Sequence, residues 1–232
     1  MGRARSLLRT VWLWLLDYAY VGRWQLQGLL SHVDEADYLV PGAAGQPVVL
    51  LPGVYERWQF MRPVADLLRA LGHPVHVVAR LRWNAAPLAA SARLVADHLE
   101  EHDLHDVLVV AHSKGGLIGK SLMLDERAGP RIDRMIAIAT PFSGSVYAQL
   151  FLLPAVRALS PRDRTLRSLG EQLEVNSRIT SIWGAFDPHI PGGSRLEGAT
   201  NVRLRTSGHF RVLGQAELLD AVARAAARPV GR

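Results

Sequence analysis

The sequence predicts an α/β fold in which a mostly parallel sheet is covered by helices on both faces. Three observations predict this class. From residue 47 onward, short runs of valine, isoleucine and leucine alternate with segments of helical spacing. The run 106–111, DVLVVA, has no polar alternation, which is typical of a strand buried on both faces. The chain of 232 residues also has the length of a single open α/β domain.

The first half of the pattern contains three strands and two helices. PVVLL (47–51) is an apolar run that ends at Pro-Gly, and PVHVVA (74–79) is a second strand. The segment 62–72 has helical spacing and stops at a glycine, whereas 87–102 is helical and opens with a proline, a residue suited to a first helical turn. The run 106–111 is the third strand.

The second half repeats the alternation with one interruption. GGLIGKSLML (115–124) is predicted to be a helix and RIDRMIAIAT (131–140) a strand. The stretch 142–177 is too long for a simple crossover and contains the apolar, helix-like run SVYAQLFLLPAVRAL, so we interpret it as an inserted cap. The chain is completed by strands at 178–183 and 201–206 and by a closing helix at 214–227.

Composition narrows the class of protein. The formal charge is +6, carried almost wholly by arginines that are spread along the chain, which argues against binding to nucleic acid. The absence of cysteine excludes disulfides, zinc thiolate sites and a cysteine nucleophile. We expect no cofactor and no metal. HLEEH has two histidines with zinc-ligand spacing, His98 and His102, but acidic neighbours make this a solvated helix face.

The N-terminal segment, 1–36, is distinct from the α/β domain, 37–232, which includes the cap. Arg3, Arg5 and Arg9 precede an apolar aromatic run that Asp17 interrupts. The uncharged run is shorter than the ~20 residues of a membrane span. One interpretation is a helix that packs on the domain. A second is a helix in a membrane interface, with four aromatic anchors: Trp12, Trp14, Tyr18 and Trp24. A third interpretation is a signal segment. For the whole protein, a cytoplasmic or peripheral membrane location is favoured over secretion.

The bend AHSKG after the third strand holds the main candidate for chemistry. Ser113 alone among the serines has a small residue two positions before it, Ala111, and a glycine two positions after it, Gly115. This spacing fits a nucleophile elbow, in which a strained turn between strand and helix lifts the serine hydroxyl above the sheet. Small flanking residues are needed because larger side chains would collide with neighbouring backbone.

A serine hydroxyl needs a base and an acid that orients the base. Of the two later histidines, His209 follows the last strand and is the predicted base, whereas His189 is predicted to be structural or to line a cleft. Asp187 directly follows the strand 178–183 and is the predicted acid. Two backbone N–H groups are predicted to form an oxyanion hole, those of Val54 and Lys114.

Four stretches resemble the α/β-hydrolase superfamily, in particular its bacterial lipases and esterases. They are LLPGVYERW, VVAHSKGGL, IAIATPFSGS with LSPRDRTLRSL, and ITSIWGAFDPHIPGGSRLEGATNVRLRTSGHF, and the similarity extends over about 45–228. The resemblance implies hydrolysis of carboxylic esters through an acyl-enzyme. It departs from the usual motifs at Pro52, Ala111 and Lys114. The Lys114 side chain either places a cation beside Ser113 or leads away toward solvent.

The expected substrate is an acyl ester, lipid-like in character. Trp58, Trp83 and Phe142 either line an acyl cleft or belong to the ordinary core. Two other functions stay open. The same three residues could serve a thioesterase, an amidase or an acyltransferase, because the fold does not fix the substrate. The chain could also be a membrane-associated binding module whose hydrolase site is inactive.

Overall fold

A computed structural model describes residues 2–30, 35–39 and 45–227; within the first helix, side chains are described from 10 to 27. Its centre is one six-stranded sheet in which every pairing is parallel, with the order β2-β1-β3-β4-β5-β6. The strands are β1 (Val48–Leu51), β2 (Val75–Val77), β3 (Val107–His112), β4 (Ile132–Ile138), β5 (Ile179–Trp183) and β6 (Thr200–Arg203). The predicted parallel α/β class and all six predicted strands are confirmed.

Seven helices accompany the sheet in the described residues. They are α1 (Gly2–Leu30), α2 (Arg62–Ala70), α3 (Leu88–Glu101), α4 (Lys114–Met123), α5 (Pro154–Arg157), α6 (Arg164–Glu171) and α7 (Ala216–Ala226). Short 3₁₀ turns connect several of them, including Trp58–Met61 and Arg211–Gly214. Within the described residues, no helix is both long and apolar enough to cross a membrane.

The core lies in two layers because alternate side chains of each strand point to opposite faces of the sheet. On one face Val49, Leu51 and Val109 pack against α3 and α4. On the other face Leu50 and Val110 pack against α1, α2 and α7. β3 is buried along its whole length at the centre of the sheet, so the residue that follows it is held by packing on both sides.

The N-terminal helix packs on this second layer. Trp24 is only 6% exposed and belongs to the core cluster, and Tyr20 packs against the same cluster. The prediction of Trp24 as a membrane anchor is therefore wrong, because its indole fills the space between α1 and the domain. Trp12 and Tyr18 remain exposed. The predicted lipid-facing side chains of Arg3, Arg5 and Arg9 lie outside the described residues.

The segment 142–177 is inserted between β4 and β5 but is less helical than its sequence indicates. Val146–Leu150 is a 3₁₀ turn, α5 is a single turn, and residues 151–153 are extended between them. Pro154 explains the break, since a proline cannot continue a helix from the preceding turn and favours extended backbone before it. Asp163 begins α6 by accepting the Leu166 N–H at 3.0 Å.

Candidate active site

Ser113 occupies a strained turn between β3 and α4. Its φ of 51° and ψ of −121° are values that residues with a side chain rarely adopt. The Ser113 N–H donates to the carbonyl of Ile138 in β4 at 2.9 Å, so the neighbouring strand fixes the turn. Such a conformation costs about 1–3 kcal/mol and persists only where packing imposes it. Its effect is to hold the hydroxyl at the carboxyl edge of the sheet.

The two glycines after Ser113 are required by close backbone approach. A Cβ atom on Gly115 would lie 2.1 Å from the carbonyl oxygen of Leu51, and one on Gly116 would lie 2.0 Å from Oγ1 of Thr140. Both distances are far inside van der Waals contact. The small residue that the sequence motif demands at 115 is therefore explained by β1, which passes directly beside the start of α4.

Three side chains that are distant in sequence form one hydrogen-bonded line. Nε2 of His209 lies 3.0 Å from Oγ of Ser113, and Nδ1 of His209 lies 2.8 Å from Oδ2 of Asp187. The other carboxylate oxygen of Asp187 accepts the N–H groups of His189 at 2.8 Å and Ile190 at 2.9 Å. Each of the three residues follows the carboxyl end of a strand, where sites of open α/β sheets form.

Electrostatics favour a charged pair when His209 takes a proton. Burial alone would lower the pKa of His209, but the charge and hydrogen bond of Asp187, together with the charges of Asp17 and Glu56, raise that pKa above the usual value. Burial would likewise raise the pKa of Asp187, whereas His209 and two backbone N–H groups lower it below the usual value. Asp187 is thus held as an acceptor that fixes Nδ1–H on His209 and leaves Nε2 free to accept from Ser113.

A second buried pair lies behind this line. Nδ1 of His112 is 2.8 Å from Oε2 of Glu56, and Nε2 of His112 is 3.0 Å from the carbonyl oxygen of His209. That carbonyl can only accept, so Nε2 of His112 carries a proton. Both side chains are 2% exposed or less. Sequence reasoning missed this pair, since its members are 56 positions apart.

The same glutamate organises the turn predicted to supply an oxyanion donor. The Gly53 N–H donates to Oε2 of Glu56 at 2.9 Å, which occupies that donor. Val54 follows directly and borders the cavity beside Ser113. Lys114 is the first residue of α4, so its N–H is one of the helix-start donors that have no partner within the helix. These are the two donors that the sequence predicts.

The side chain of Lys114 is turned away from Ser113. Its Nζ donates to the carbonyls of Asn84 at 2.7 Å and Ala86 at 2.5 Å. The residue is 2% exposed, and burial lowers the pKa of Lys114 to about 8. The sequence left two positions open for this amine, beside Ser113 or in solvent. The structure places it away from the Ser113 hydroxyl, but in a buried loop instead of in solvent.

A cavity of about 290 Å³ opens beside the Ser113 hydroxyl. Its walls are mostly apolar and come from the cap, from the turn after β1 and from α1. The cap contributes Tyr147, Phe151 and Leu159, and α1 contributes Tyr18 and Val21. The volume is at the lower end of the about 300–1,000 Å³ usual for small-molecule sites.

The three aromatic residues named as candidate cleft lining are placed elsewhere. Phe142 is buried in the core against α3 and α4. Trp58 packs edge-on against Tyr38, with ring centroids 5.2 Å apart. Trp83 carries the Arg57 guanidinium 4.7 Å above its ring. Trp58 and Trp83 line a separate depression, so none of the three borders the cavity beside Ser113, and Phe142 belongs to the core, the alternative that the sequence left open.

His189 lines the cavity, as predicted. Its ring centroid is 5.1 Å from that of His209 and 5.0 Å from that of Trp14 in α1. Burial lowers the pKa of His189 to about 3, so its ring is neutral at neutral pH. A neutral ring here adds no charge that would oppose protonation of His209.

The pair His98 and His102 does not form a metal centre with its neighbours. The centroids of the two rings lie 4.1 Å apart with the rings tilted by 32°, and each lies 6.0 Å from the ring centroid of His76 in β2. Among the residues that the structure describes, no group of three or more histidine, aspartate or glutamate side chains converges as metal ligands.

Comparison with known proteins shows the fold and leaves the substrate open. No family model matches the chain, and no curated protein matches it. Solved structures do match. The mature Bacillus licheniformis lipase BlEst2 aligns with a TM-score of 0.60 and 19% identity, over 80% of this chain and 94% of that chain. The RedJ thioesterase of the prodiginine biosynthetic pathway in Streptomyces coelicolor aligns with a TM-score of 0.52 and 23% identity, over 81% and 87%.

An extracellular α/β-hydrolase from a Paenibacillus species aligns with a TM-score of 0.54 and 17% identity, over 79% of this chain and 100% of that chain. These neighbours align with most of this chain, and their names are those of a lipase, a thioesterase and an α/β-hydrolase. The chain therefore has the α/β-hydrolase fold that its sequence resembles.

Proposed function

We propose that this protein is a serine hydrolase that cleaves carboxylic esters through an acyl-enzyme. The main support is the hydrogen-bonded line from Asp187 through His209 to Ser113, whose hydroxyl borders an apolar cavity. Ser113 Oγ attacks the ester carbonyl while Nε2 of His209 takes its proton. His209 then gives that proton to the leaving alcohol. Water, activated by the same histidine, attacks the acyl carbon and releases the acid.

The developing negative charge on the carbonyl oxygen is stabilised by the N–H groups of Val54 and Lys114. Support for Val54 comes from Glu56, which engages the preceding N–H of Gly53 and so fixes the turn. Support for Lys114 comes from its position at the start of α4, where the helix dipole also favours an anion. The loss of one such donor typically costs about 10²–10³ in kcat.

A fluorophosphonate probe tests the reaction class. We expect the wild-type protein to be labelled at Ser113, and Ser113→Ala to lose labelling and about 10⁶-fold in ester turnover, as for other triad enzymes. His209→Ala should lose labelling as well. Unlabelled, folded wild-type protein would instead indicate a binding module with an inactive site. Near-normal turnover by Ser113→Ala would overturn the assignment of the nucleophile.

A second question is whether the substrate is an ester or a thioester, because one structural neighbour is named as a thioesterase. The same line of side chains can attack an acyl thioester, and the RedJ thioesterase shares the fold. A panel of p-nitrophenyl esters, acyl thioesters and acyl amides, matched in chain length, separates these reactions. We expect the highest kcat/KM for esters. A thioester preference would keep the mechanism and change the leaving group.

We propose a lipid surface as the partner at the mouth of the cavity. Large apolar side chains are exposed on α1 and in the cap, with Trp12 at 59% and Leu15 at 58% on α1, and Leu150 at 78% and Leu152 at 90% in the cap. Both segments also contribute walls to the cavity. Continuity between an exposed apolar surface and an apolar cavity suits a substrate that leaves a membrane without crossing water.

Vesicles of mixed phosphatidylcholine and phosphatidylglycerol test this partner by cosedimentation. Burial of a large apolar side chain is worth about 1.5–3 kcal/mol, so we expect Trp12→Ser with Leu152→Ser to weaken binding by well over tenfold. Leu71→Ser is the matched control, since Leu71 is 49% exposed but follows α2, away from the mouth. Equal loss in control and variant, or no binding by wild type, would overturn the proposal.

A further inference from the structure

The single acidic residue in the apolar stretch of α1 is buried against the loop that carries His209. Asp17 is 0% exposed. Its Oδ2 accepts the N–H of His209 at 3.1 Å, and its Oδ1 accepts the N–H groups of Phe210 and Arg211, both at 2.9 Å. One carboxylate thus binds three consecutive backbone donors across a separation of more than 190 residues.

The N–H groups of residues 209–211 need an acceptor from another part of the chain because they lie at the start of a helical turn. They precede and begin the 3₁₀ turn Arg211–Gly214, and N–H groups at the start of a helical turn have no partner within it. Asp17 supplies the cap from another element. The approach is close enough to require a glycine at 208. A Cβ atom there would lie 2.8 Å from Oδ1 of Asp17, and its φ of +121° suits glycine alone.

The same helix is also a wall of the site. Tyr18, Val21 and Gln25 line the cavity beside Ser113. Gln25 is further held by Nε2, which donates to the carbonyl of Tyr55 at 3.4 Å. α1 therefore contacts the base through Asp17 and faces the substrate space through its next two turns.

We propose that Asp17 is a positioning residue, which fixes the backbone of the His209 loop so that the imidazole stays aimed at Ser113. This inference rests on the proposed hydrolase function. The geometry carries it, since Asp17 binds the N–H of His209 itself and of the two residues after it. Its role differs from that of Asp187, which binds the imidazole directly.

The carboxylate of Asp17 also contributes charge beside the base. Burial lowers the pKa of His209. Asp187 is the largest of the contributions that raise it, and the charges of Asp17 and Glu56 raise it further. The titratable and charged groups that surround His209 from the elements packed on it are Asp17, Glu56, His112, Asp187, His189 and Arg211. Loss of the charge at 17 should therefore lower the pKa of His209.

The test compares Asp17→Asn and Asp17→Ala with Glu126→Gln, an exposed carboxylate in the turn after α4, at the opposite edge of the sheet. Because a misplacement of about 1 Å can cost 10²-fold, we expect Asp17→Ala to lose about 10- to 100-fold in kcat/KM. Asp17→Asn keeps one oxygen for Phe210 and Arg211 but turns an NH₂ group toward the N–H of His209. We expect it to lose activity as well and to move the acid limb of the pH profile to lower pH.

The direction of that movement follows from the base role. His209 must be neutral to accept the Ser113 proton, so activity falls as pH drops through its pKa, and a lower pKa shifts the fall to lower pH. A purely structural role would reduce activity at every pH without moving the limb. NMR titration of the His209 ring reads the pKa independently of turnover, so it also serves a protein that hydrolyses no ester.

Four outcomes are distinguished. An active, labelled wild type with an unshifted, fully active Asp17→Asn overturns the positioning role alone. An inactive wild type overturns the hydrolase function, while the NMR titration still tests the contact. If Asp17→Ala does not fold, the nearly isosteric Asp17→Asn decides, and its folded fraction is measured by urea denaturation, which does not depend on the reactivity of Ser113. A limb shift in Glu126→Gln equal to that in Asp17→Asn would also overturn the proposal.

Discussion

Nε2 of His112 lies 3.0 Å from the carbonyl oxygen of His209, so a second buried histidine supports the backbone of the proposed base. Glu56 holds the other side of that ring and also binds the N–H of Gly53. Glu56 and His112 thereby connect the proposed oxyanion turn at Gly53 to the loop that carries His209, the proposed base. The side chains of Glu56 and His112 thus bond to the segments around Ser113, while the Ser113 hydroxyl bonds to His209.

Removal of Glu56 should destabilise the whole fold. Glu56→Ala leaves His112 and the Gly53 N–H buried without their acceptor, and loss of one partner of a buried pair typically costs about 3–5 kcal/mol. Urea denaturation measures this free energy of unfolding. Glu126→Ala, at an exposed position, is the control and should stay within about 0.5 kcal/mol. Equal midpoints for the two variants would contradict the importance of the pair.

Replacement of Asp187 should damage chemistry more than folding. In Asp187→Asn the amide can donate to Nδ1 of His209, which favours the wrong tautomer, and we expect kcat to fall about 10⁴-fold. Steady-state hydrolysis of a short p-nitrophenyl ester measures the effect. Asp163→Asn is the matched control because Asp163 begins α6, where asparagine caps a helix equally well. Wild-type kcat in Asp187→Asn would remove Asp187 from the mechanism.

Two glycine-to-alanine changes should have opposite signs. Gly115→Ala places a methyl group 2.1 Å from the Leu51 carbonyl, so we expect a loss above about 4 kcal/mol or failure to fold. Gly22→Ala lies in α1 with nothing within 4 Å of the new methyl group, and should stabilise by about 0.5–1 kcal/mol. Thermal and urea unfolding compare both with wild type. A tolerated Gly115→Ala would show that β1 can move away from the elbow.

The buried amine of Lys114 should make stability depend on pH. Its pKa is lowered to about 8 by burial, from the ordinary value of 10.5. The unfolded chain therefore binds more protons between these values, and the free energy of unfolding should rise with pH from about 8 to 10. Lys114→Met should lack this rise. Urea titrations at several pH values compare the two proteins, and parallel curves would contradict the buried titration.

The sheet could be predicted from sequence because each strand is marked locally. The run 106–111 is apolar on both faces, and the bend after it contains the small residues that a tight approach needs. Ser113, Asp187 and His209 were found in the same way, since each follows a predicted strand. These signals are short-range, and the parallel topology then places their strand ends on one edge of the sheet.

The contacts between distant segments could not be predicted. In the sequence Asp17 is only an interruption of an apolar helix. Its three backbone partners are determined by how α1 packs against the loop at residues 209–211. The only hint was a carboxylate within an apolar face, which requires a buried partner. Residue type alone left Trp58 and Trp83 open between a cleft and the core, because the direction of their side chains depends on the turns after β1 and β2.

The hydrogen bonds between Asp17 and residues 209–211 also concern the order of synthesis. During synthesis Asp17 is added to the chain long before residue 209. The nascent chain therefore contains Ser113 for several seconds before His209, and its contact with Asp17, can be present. Contacts of such long sequence separation form late in folding. If the proposed hydrolase function holds, the Ser113 hydroxyl is an ordinary alcohol until His209, which follows the sixth strand, has joined it, and we expect no acylation of the chain before then.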